Sequence, residues 1–255
     1  MKKITAILGS PRKKNTFRLV EAIEEAICKK EKVEFRYFHL ADMTIEPCRG
    51  CLLCITKGFE HCPIDDDVKS IHEALISSDG IILASPVYVM HISSQMKALI
   101  DRLCYICHRP ALCHSHGMVV STTGAIGLKK ALSYLKGVLE MWGCRSTVSA
   151  GIATPPTNDG HSNFSEAETG KIEAAVGKFQ RNIDKGDRKP VKLGSLIQFR
   201  MQRMIFTSDK TREIMPADHD FYKELIGRRY FTEARISVFN RFVAWIVQRA
   251  AKPFL

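Results

Sequence analysis

Four cysteines lie close together in this chain: Cys48, Cys51 and Cys54 are spaced three apart, and Cys62-Pro63 follows eight positions after Cys54. Four thiolates so compactly placed can close around one cubane cluster, and Cys-x2-Cys-x2-Cys is the tight iron–sulfur spacing. A structural zinc site more often draws on two separated Cys pairs. Unmetallated thiols are the third reading. Gly58 eases the return of the chain to Cys62, and Arg49 offers a charge that could tune a bound cluster. The acidic run Asp65-Asp66-Asp67 comes just afterwards.

Three further segments carry hydroxyl, amide or basic groups at the ends of apolar runs. The first, Gly9-Ser10-Pro11-Arg12-Lys13-Lys14-Asn15-Thr16, joins an apolar run to a helical period. Backbone N–H groups at a helix start, with basic and hydroxyl side chains around them, form a phosphate cradle. The segment is neither a P-loop nor a Gly-x-Gly-x2-Gly turn. A plain strand-to-helix turn capped by Asn or Thr is the alternative. Ser85-Pro86-Val87-Tyr88 and Ser121-Thr122-Thr123-Gly124 are the other two. One such loop can lie against the face of a planar ligand while the other meets its polar edge.

The elements that must position these loops alternate strand and helix. Ile4–Leu8 is a short buried strand, and from Asn15 the residues Phe17, Val20, Ile23 and Ile27 share one helical face. Val33–Leu40 alternates as a half-buried strand, Val68–Ser78 is helical, and Gly80–Ala84 is an apolar strand stopped by Ser85-Pro86. Gln95–Leu103 is helical, and Met118–Ser121 is a strand broken at Thr122-Thr123-Gly124. A helix over 126–142, a strand over Thr147–Ile152 and a helix over 165–183 complete the unit. Five strands, each followed by a helix, predict an α/β fold: a doubly wound five-stranded parallel sheet of flavodoxin-like order, with ligands at the strands' carboxyl ends.

The three loops in this order resemble the NADPH-dependent FMN reductase family, over roughly residues 3–180. The resemblance implies that Ser10, Arg12, Asn15 and Thr16 hold the FMN phosphate. It implies that Pro86, Val87 and Tyr88 line the ring, and that Ser121, Thr122, Thr123 and Gly124 complete the pocket. Lys97, Asp101 and Arg102 match the helix that follows the second loop. The cysteine run is similar to that of the iron–sulfur flavoproteins, an FMN-containing branch, which implies Cys48, Cys51, Cys54 and Cys62 as ligands of a [4Fe-4S] cluster. The activity implied is NAD(P)H-dependent flavin oxidoreduction. Reduced nicotinamide is the co-substrate, and a small molecule or a protein is the acceptor. No catalytic acid or base is named, because the flavin carries the hard chemistry. An electron-transfer module working between protein partners is the alternative function.

Length and charge bound the rest. The chain has 255 residues, 45% of them hydrophobic and 25% charged, the balance of an ordinary globular protein. Nine cysteines with no export signal predict a cytoplasmic protein without a disulfide framework. A second run, Cys104-x2-Cys107-His108-Arg109-Pro110, has the haem c attachment pattern and could also hold a second metal, but with no export signal it reads as packing at a helix end that opens a loop near the flavin. Domain 1–185, with the cysteine-rich insertion at about 45–65, is near neutral. Residues 186–255 hold 14 basic and 7 acidic side chains, out of 38 and 27 in the whole chain. That basic helical extension predicts a face for its own domain or for a homodimer partner, not for nucleic acid. Within it, Ile236, Phe239, Val243 and Ile246 repeat at helical spacing beside Arg235, Arg241 and Arg249, with Phe242 and Trp245 widening the stripe. Contact of this helix with a membrane surface is the less favoured reading.

Overall fold

A computed structural model describes residues 1–154 and 164–252 of the chain. Five strands, β1 (Lys2–Leu8), β2 (Val33–His39), β3 (Gly80–Pro86), β4 (His116–Thr123) and β5 (Thr147–Ala153), form one sheet of order β2-β1-β3-β4-β5. Every neighbouring pair is parallel. The chain reverses its direction of sheet growth between β1 and β3, which opens a crevice at their carboxyl ends.

Ten helices are described: α1 (Asn15–Cys28), α2 (Leu53–Thr56), α3 (Val68–Ile76), α4 (Ser94–Arg102), α5 (Leu128–Met141), α6 (Glu166–Lys185), α7 (Leu193–Phe206), α8 (Asp209–Ile214), α9 (Pro216–Lys223) and α10 (Val238–Ala251). Alternate strand residues face opposite sides of the sheet. Ile4, Ala6, Leu8, Ile82 and Val120 therefore pack on α1 and α6. Ile7, Ile81, Leu83 and Val119 pack on α3, α4 and α5. Gln180 of α6 donates to the Ile27 carbonyl, 3.3 Å, tying the last helix of this layer to α1.

Two strands run past the stops read from sequence. Pro86 still pairs with Thr122, and β4 continues through Thr123. Proline is tolerated there because it ends its strand, where loss of one donor costs little. The extended registers carry the second and third loops further out from the sheet edge.

The C-terminal helices α7 to α10 build a smaller core around Leu196, Phe199, Phe206, Tyr222 and Tyr230. Arg145, two residues before β5, anchors the approach to it. Its guanidinium donates to the Cys113 carbonyl (2.9 Å), Asp187 (2.7 Å) and Thr232 (2.9 Å).

The first residue of β4, His116, is 1% exposed and shares a 2.8 Å hydrogen bond with Ser146. Burial, reinforced by the charges of Lys189 and Arg145, pushes its imidazole down to about 4. The unfolded chain, with an ordinary histidine near 6.5, binds that proton more readily. The His116 contribution is thus complete above about pH 6.5 and is lost as pH falls toward about 4. The expected loss is on the order of 2–3 kcal/mol. Urea midpoints at neutral and mildly acidic pH should differ less in His116→Gln than in the parent. Equal acid sensitivity in both would refute this.

Candidate functional site

The loop after β1 leaves the sheet at Gly9, whose N–H bonds the Ala84 carbonyl of β3 at 2.8 Å. A side chain at Gly9 would strike Met96 and Ser93 at under 3 Å, so the glycine lets α4 press against the loop. Ser10 is buried and folds the loop on itself. Its hydroxyl donates to the Arg12 carbonyl (2.6 Å) and accepts from the Arg12 N–H (3.2 Å). Arg12 is exposed, while Lys13 pairs with Asp42 at 3.1 Å. Among the described residues no side-chain cap bond is made at the start of α1, neither Asn15 nor Thr16 serving as the cap. Its first N–H groups and the positive end of its dipole therefore face the crevice side of the loop.

Asn15 and Thr16 bridge to other loops instead. Asn15 Nδ2 donates to Thr154 Oγ1 at 3.3 Å, and the Thr16 and Thr122 hydroxyls meet at 2.7 Å, both residues buried. Ser121 Oγ donates to the Ser85 carbonyl (2.8 Å), and the Val87 N–H donates to the Thr122 carbonyl (2.8 Å). Thr123 Oγ1 donates to the Ile126 carbonyl (2.8 Å) and accepts from the Ala125 N–H (3.3 Å). Gly124 is exposed at the tip of that turn. The structure thus brings the three loops read from sequence to one edge of the sheet. Their hydroxyls mostly bond the protein itself. Arg12 of the first loop stays exposed.

The loop after β3 contains residues that the sequence did not single out. Tyr88 and His91 exchange two backbone hydrogen bonds of 2.8 and 3.0 Å around Val89 and Met90. Both central residues have positive φ, +45° and +69°. A β-branched valine there is strained, a cost tolerated mainly at sites with a task. The turn displays Tyr88, Val89 and Met90 to solvent, Val89 at 98% exposure. Gly127 has φ +93°, and a Cβ there would meet Val87 and Met90 below 3 Å, so the third loop packs directly beneath this turn. Thr154 was also missed. The only sequence signal for it is its place at the end of β5.

The cysteine segment sits beyond β2 and is held at two points. Arg102 of α4, buried against Asp66, also donates to the carbonyls of Glu46 (2.9 Å) and Ile64 (3.4 Å). Asp66 in turn accepts from the Glu46 N–H at 2.9 Å. Burial raises the Asp66 carboxyl, but Arg102 and the Glu46 and Val68 N–H groups outweigh it and hold the group below its ordinary value. The second point is Arg109, which donates to the Cys54 and Ile55 carbonyls and pairs with the fully buried Asp218 of α9. His108 Nδ1 lies 2.7 Å from the same carboxylate. His108 and Arg109 are therefore turned to α9 and the cysteine segment. A buried carboxylate captures both.

The sulfurs themselves are not gathered into a ligand set. Cys48 and Cys51 are exposed on irregular chain, with Gly50 and Leu52 both at positive φ. Cys54 Sγ lies 3.9 Å from Cys104, a residue outside the run, and Arg102 Nη2 lies 3.7 Å from Cys62 Sγ. Among the described residues, no three metal-ligating side chains converge. The donor types suit an iron–sulfur cluster, but this arrangement does not close around one. The hydrogen bond to Cys104, together with burial, raises the Cys54 thiol, and the same bond lowers Cys104.

Residues 2–155 match the family model described as NADPH-dependent FMN reductase. The chain is 28% identical over 227 residues to an iron–sulfur flavoprotein of Archaeoglobus fulgidus, a match covering 87% of this chain and 98% of that one. It is 45% identical over 101 residues to an iron–sulfur flavoprotein of Methanocaldococcus jannaschii, covering 39% of this chain and 51% of the other. Among solved structures, an NADH:FMN oxidoreductase in its apo form superposes with a TM-score of 0.55 at 22% identity, covering 71% of this chain and 90% of that one. RosB superposes with a TM-score of 0.54 at 12% identity, covering 99% of this chain and 88% of its own. At such identities these two likenesses concern the fold.

Proposed function

The chain belongs to the NADPH-dependent FMN reductase family, and on that premise we propose that it is an FMN-dependent NAD(P)H oxidoreductase that passes electrons to an acceptor. The observation that carries the reading is the stitching of three loops at the β1/β3 switch point, beside the N-terminus of α1. That is where a doubly wound sheet receives its ligand.

When bound, FMN supplies the two-electron acceptor for a nicotinamide hydride. The chain's part is to bind, orient and exclude. Backbone N–H groups of the 9–16 loop and α1, with Arg12, hold the phosphate. Ser10, Asn15 and Thr16 fix that loop through the bonds described above and set where its N–H groups point. Pro86, Val87 and Tyr88 supply the wall against the ring, and the raised turn at Val89 and Met90 shields its edge from water. Ser121 and Thr122 lock the third loop to the other two, so that main chain from Thr123 and Gly124 meets the polar edge. No side chain of the site is needed as an acid or a base.

The test is stopped-flow reduction of the FMN-loaded protein without oxygen. NADH or NADPH should bleach the flavin absorbance within seconds. No bleaching by either at millimolar concentration would reject the reductase reading. Reduction by a low-potential protein donor alone would favour the electron-transfer module instead.

A [4Fe-4S] cluster on Cys48, Cys51, Cys54 and Cys62 is the second element of the proposal. Its support is the spacing of the run and the name iron–sulfur flavoprotein carried by the relatives. Since the sulfurs are apart, assembly must include a rearrangement of residues 48–62.

A further inference from the structure

Helix α10 carries its apolar surface on the wrong side for a helix that only closes a core. Of its 14 residues, only Ala244 is buried. It lies against the smaller core, and Asn240 donates to the Val191 carbonyl at 3.1 Å. Val238, Phe239, Phe242, Trp245 and Ile246 are between 45% and 79% exposed. At 100° per residue these five fall on one arc, opposite the Ala244 side. The stripe, expected to pack on its own domain or on a second subunit, therefore faces outward. Ile236, expected within it, precedes the helix, which starts after a Ser237 cap.

The charges around this face have one sign. From Ala234 to Lys252 there is no acidic residue, while Arg235, Arg241, Arg249 and Lys252 are all exposed. Arg249 lies on the apolar arc itself, its guanidinium 5.1 Å from the centroid of the Trp245 ring, and Phe242 stacks on Trp245 at 6.3 Å. A second copy of this helix, laid antiparallel and centred on Trp245, would set the Arg241 of each copy against the Arg249 of the other at both ends of the contact. A negatively charged lipid surface offers the opposite: hydrocarbon for the five apolar side chains, phosphate for the arginines. The helix is about 21 Å long, too short to cross a bilayer and suited to lying in its interface.

We propose that α10 is an interfacial helix that docks the protein on anionic membrane. Phe242 and Trp245 enter the acyl boundary, and Arg241, Arg249 and Lys252 meet lipid phosphates. Beside its far end, Lys252 and Lys210 border an apolar cavity of about 460 Å³ lined by Met204, Phe206 and Ile214, which extends the same chemistry onto α8.

The experiment is flotation of the full-length, FMN-loaded chain with two kinds of vesicle. One is phosphatidylcholine alone, the other contains about one-third phosphatidylglycerol. Binding to the anionic vesicles is expected to exceed that to the neutral ones by about tenfold and to fall sharply between about 0.05 and 0.5 M salt. The chain has two tryptophans. Trp142 is fully buried, so a blue shift on binding that vanishes in Trp245→Phe reports on α10. Phe242→Ser and Arg249→Glu should each abolish flotation while leaving flavin content unchanged. Failure to float with anionic vesicles at low salt would overturn the proposal. So would concentration-dependent dimerisation that Phe242→Ser removes, since that makes the occupant a second copy. Neither outcome bears on flavin reduction.

Discussion

Protein purified and kept without oxygen is expected to contain about four iron and four acid-labile sulfide per chain, falling to background in Cys51→Ala. Cys51 is exposed and sits on irregular chain, so its replacement has almost no folded contact to disturb. Loss of iron in that variant therefore reports ligation and not unfolding, which an unchanged thermal midpoint would verify. The identity of the fourth ligand is read from a second pair. Cys62→Ala should lose the iron, whereas Cys104→Ala should keep it. The 3.9 Å approach of Cys104 to Cys54 makes it the natural competitor. Iron retained in Cys62→Ala but lost in Cys104→Ala would move the site onto the helix-end cysteine. Zinc at about one per chain, or no metal in protein never exposed to air, would remove the cluster and leave an FMN reductase.

Asp218→Ala is expected to cost about 3–5 kcal/mol, the range for breaking one side of a buried ion pair. The carboxylate has no exposed surface and pairs with both Arg109 and His108. Arg109 in turn donates to the Cys54 and Ile55 carbonyls. Tyr222, one turn further along α9, donates to the His108 carbonyl at 2.8 Å and to Gln202 at 3.0 Å. Removing the carboxylate leaves a buried guanidinium without its counter-charge, so α9 should lift and α2 should loosen with it. Hydrogen exchange at residues 53–57 should accelerate by at least about tenfold. FMN affinity should change by less than about twofold, since none of these bonds reaches the three loops of the proposed flavin site. Exchange unchanged at α2, with the stability loss confined to the C-terminal helices, would show that the two regions are not coupled. The consequence for function is that the extension steadies the cysteine segment from below, while Arg102 and Asp66 steady it at its base.

The sequence by itself determined the sheet and the three loops gathered at one edge of it. Apolar runs such as Ile4–Leu8 and Gly80–Ala84 have no polar face to expose, so they must lie inside a parallel sheet covered on both sides. The observed order β2-β1-β3-β4-β5 follows from that pattern and the handedness of the crossovers. The loops that matter were legible because they end those strands. What each polar side chain does was decided only by tertiary structure. Thr16 and Thr122 are 106 positions apart and nothing in their local sequence pairs them, yet each satisfies the other's buried hydroxyl. The strained turn at Val89 and Met90 was invisible for a similar reason. Valine argues against a positive φ, and the close approach of Gly127 beneath the turn is visible only in the fold. Helical spacing revealed α10's stripe but not its direction, because periodicity defines a face and not what the face meets. Ala244 settles that direction: its small side lets α10 sit close on α7, and the aromatic side is left to solvent. Cysteine spacing likewise announced a ligand set, while the fold turned Cys54 toward Cys104 and Cys62 toward Arg102. Spacing along the chain limits which sulfurs can meet, but burial and the neighbouring charges determine which do.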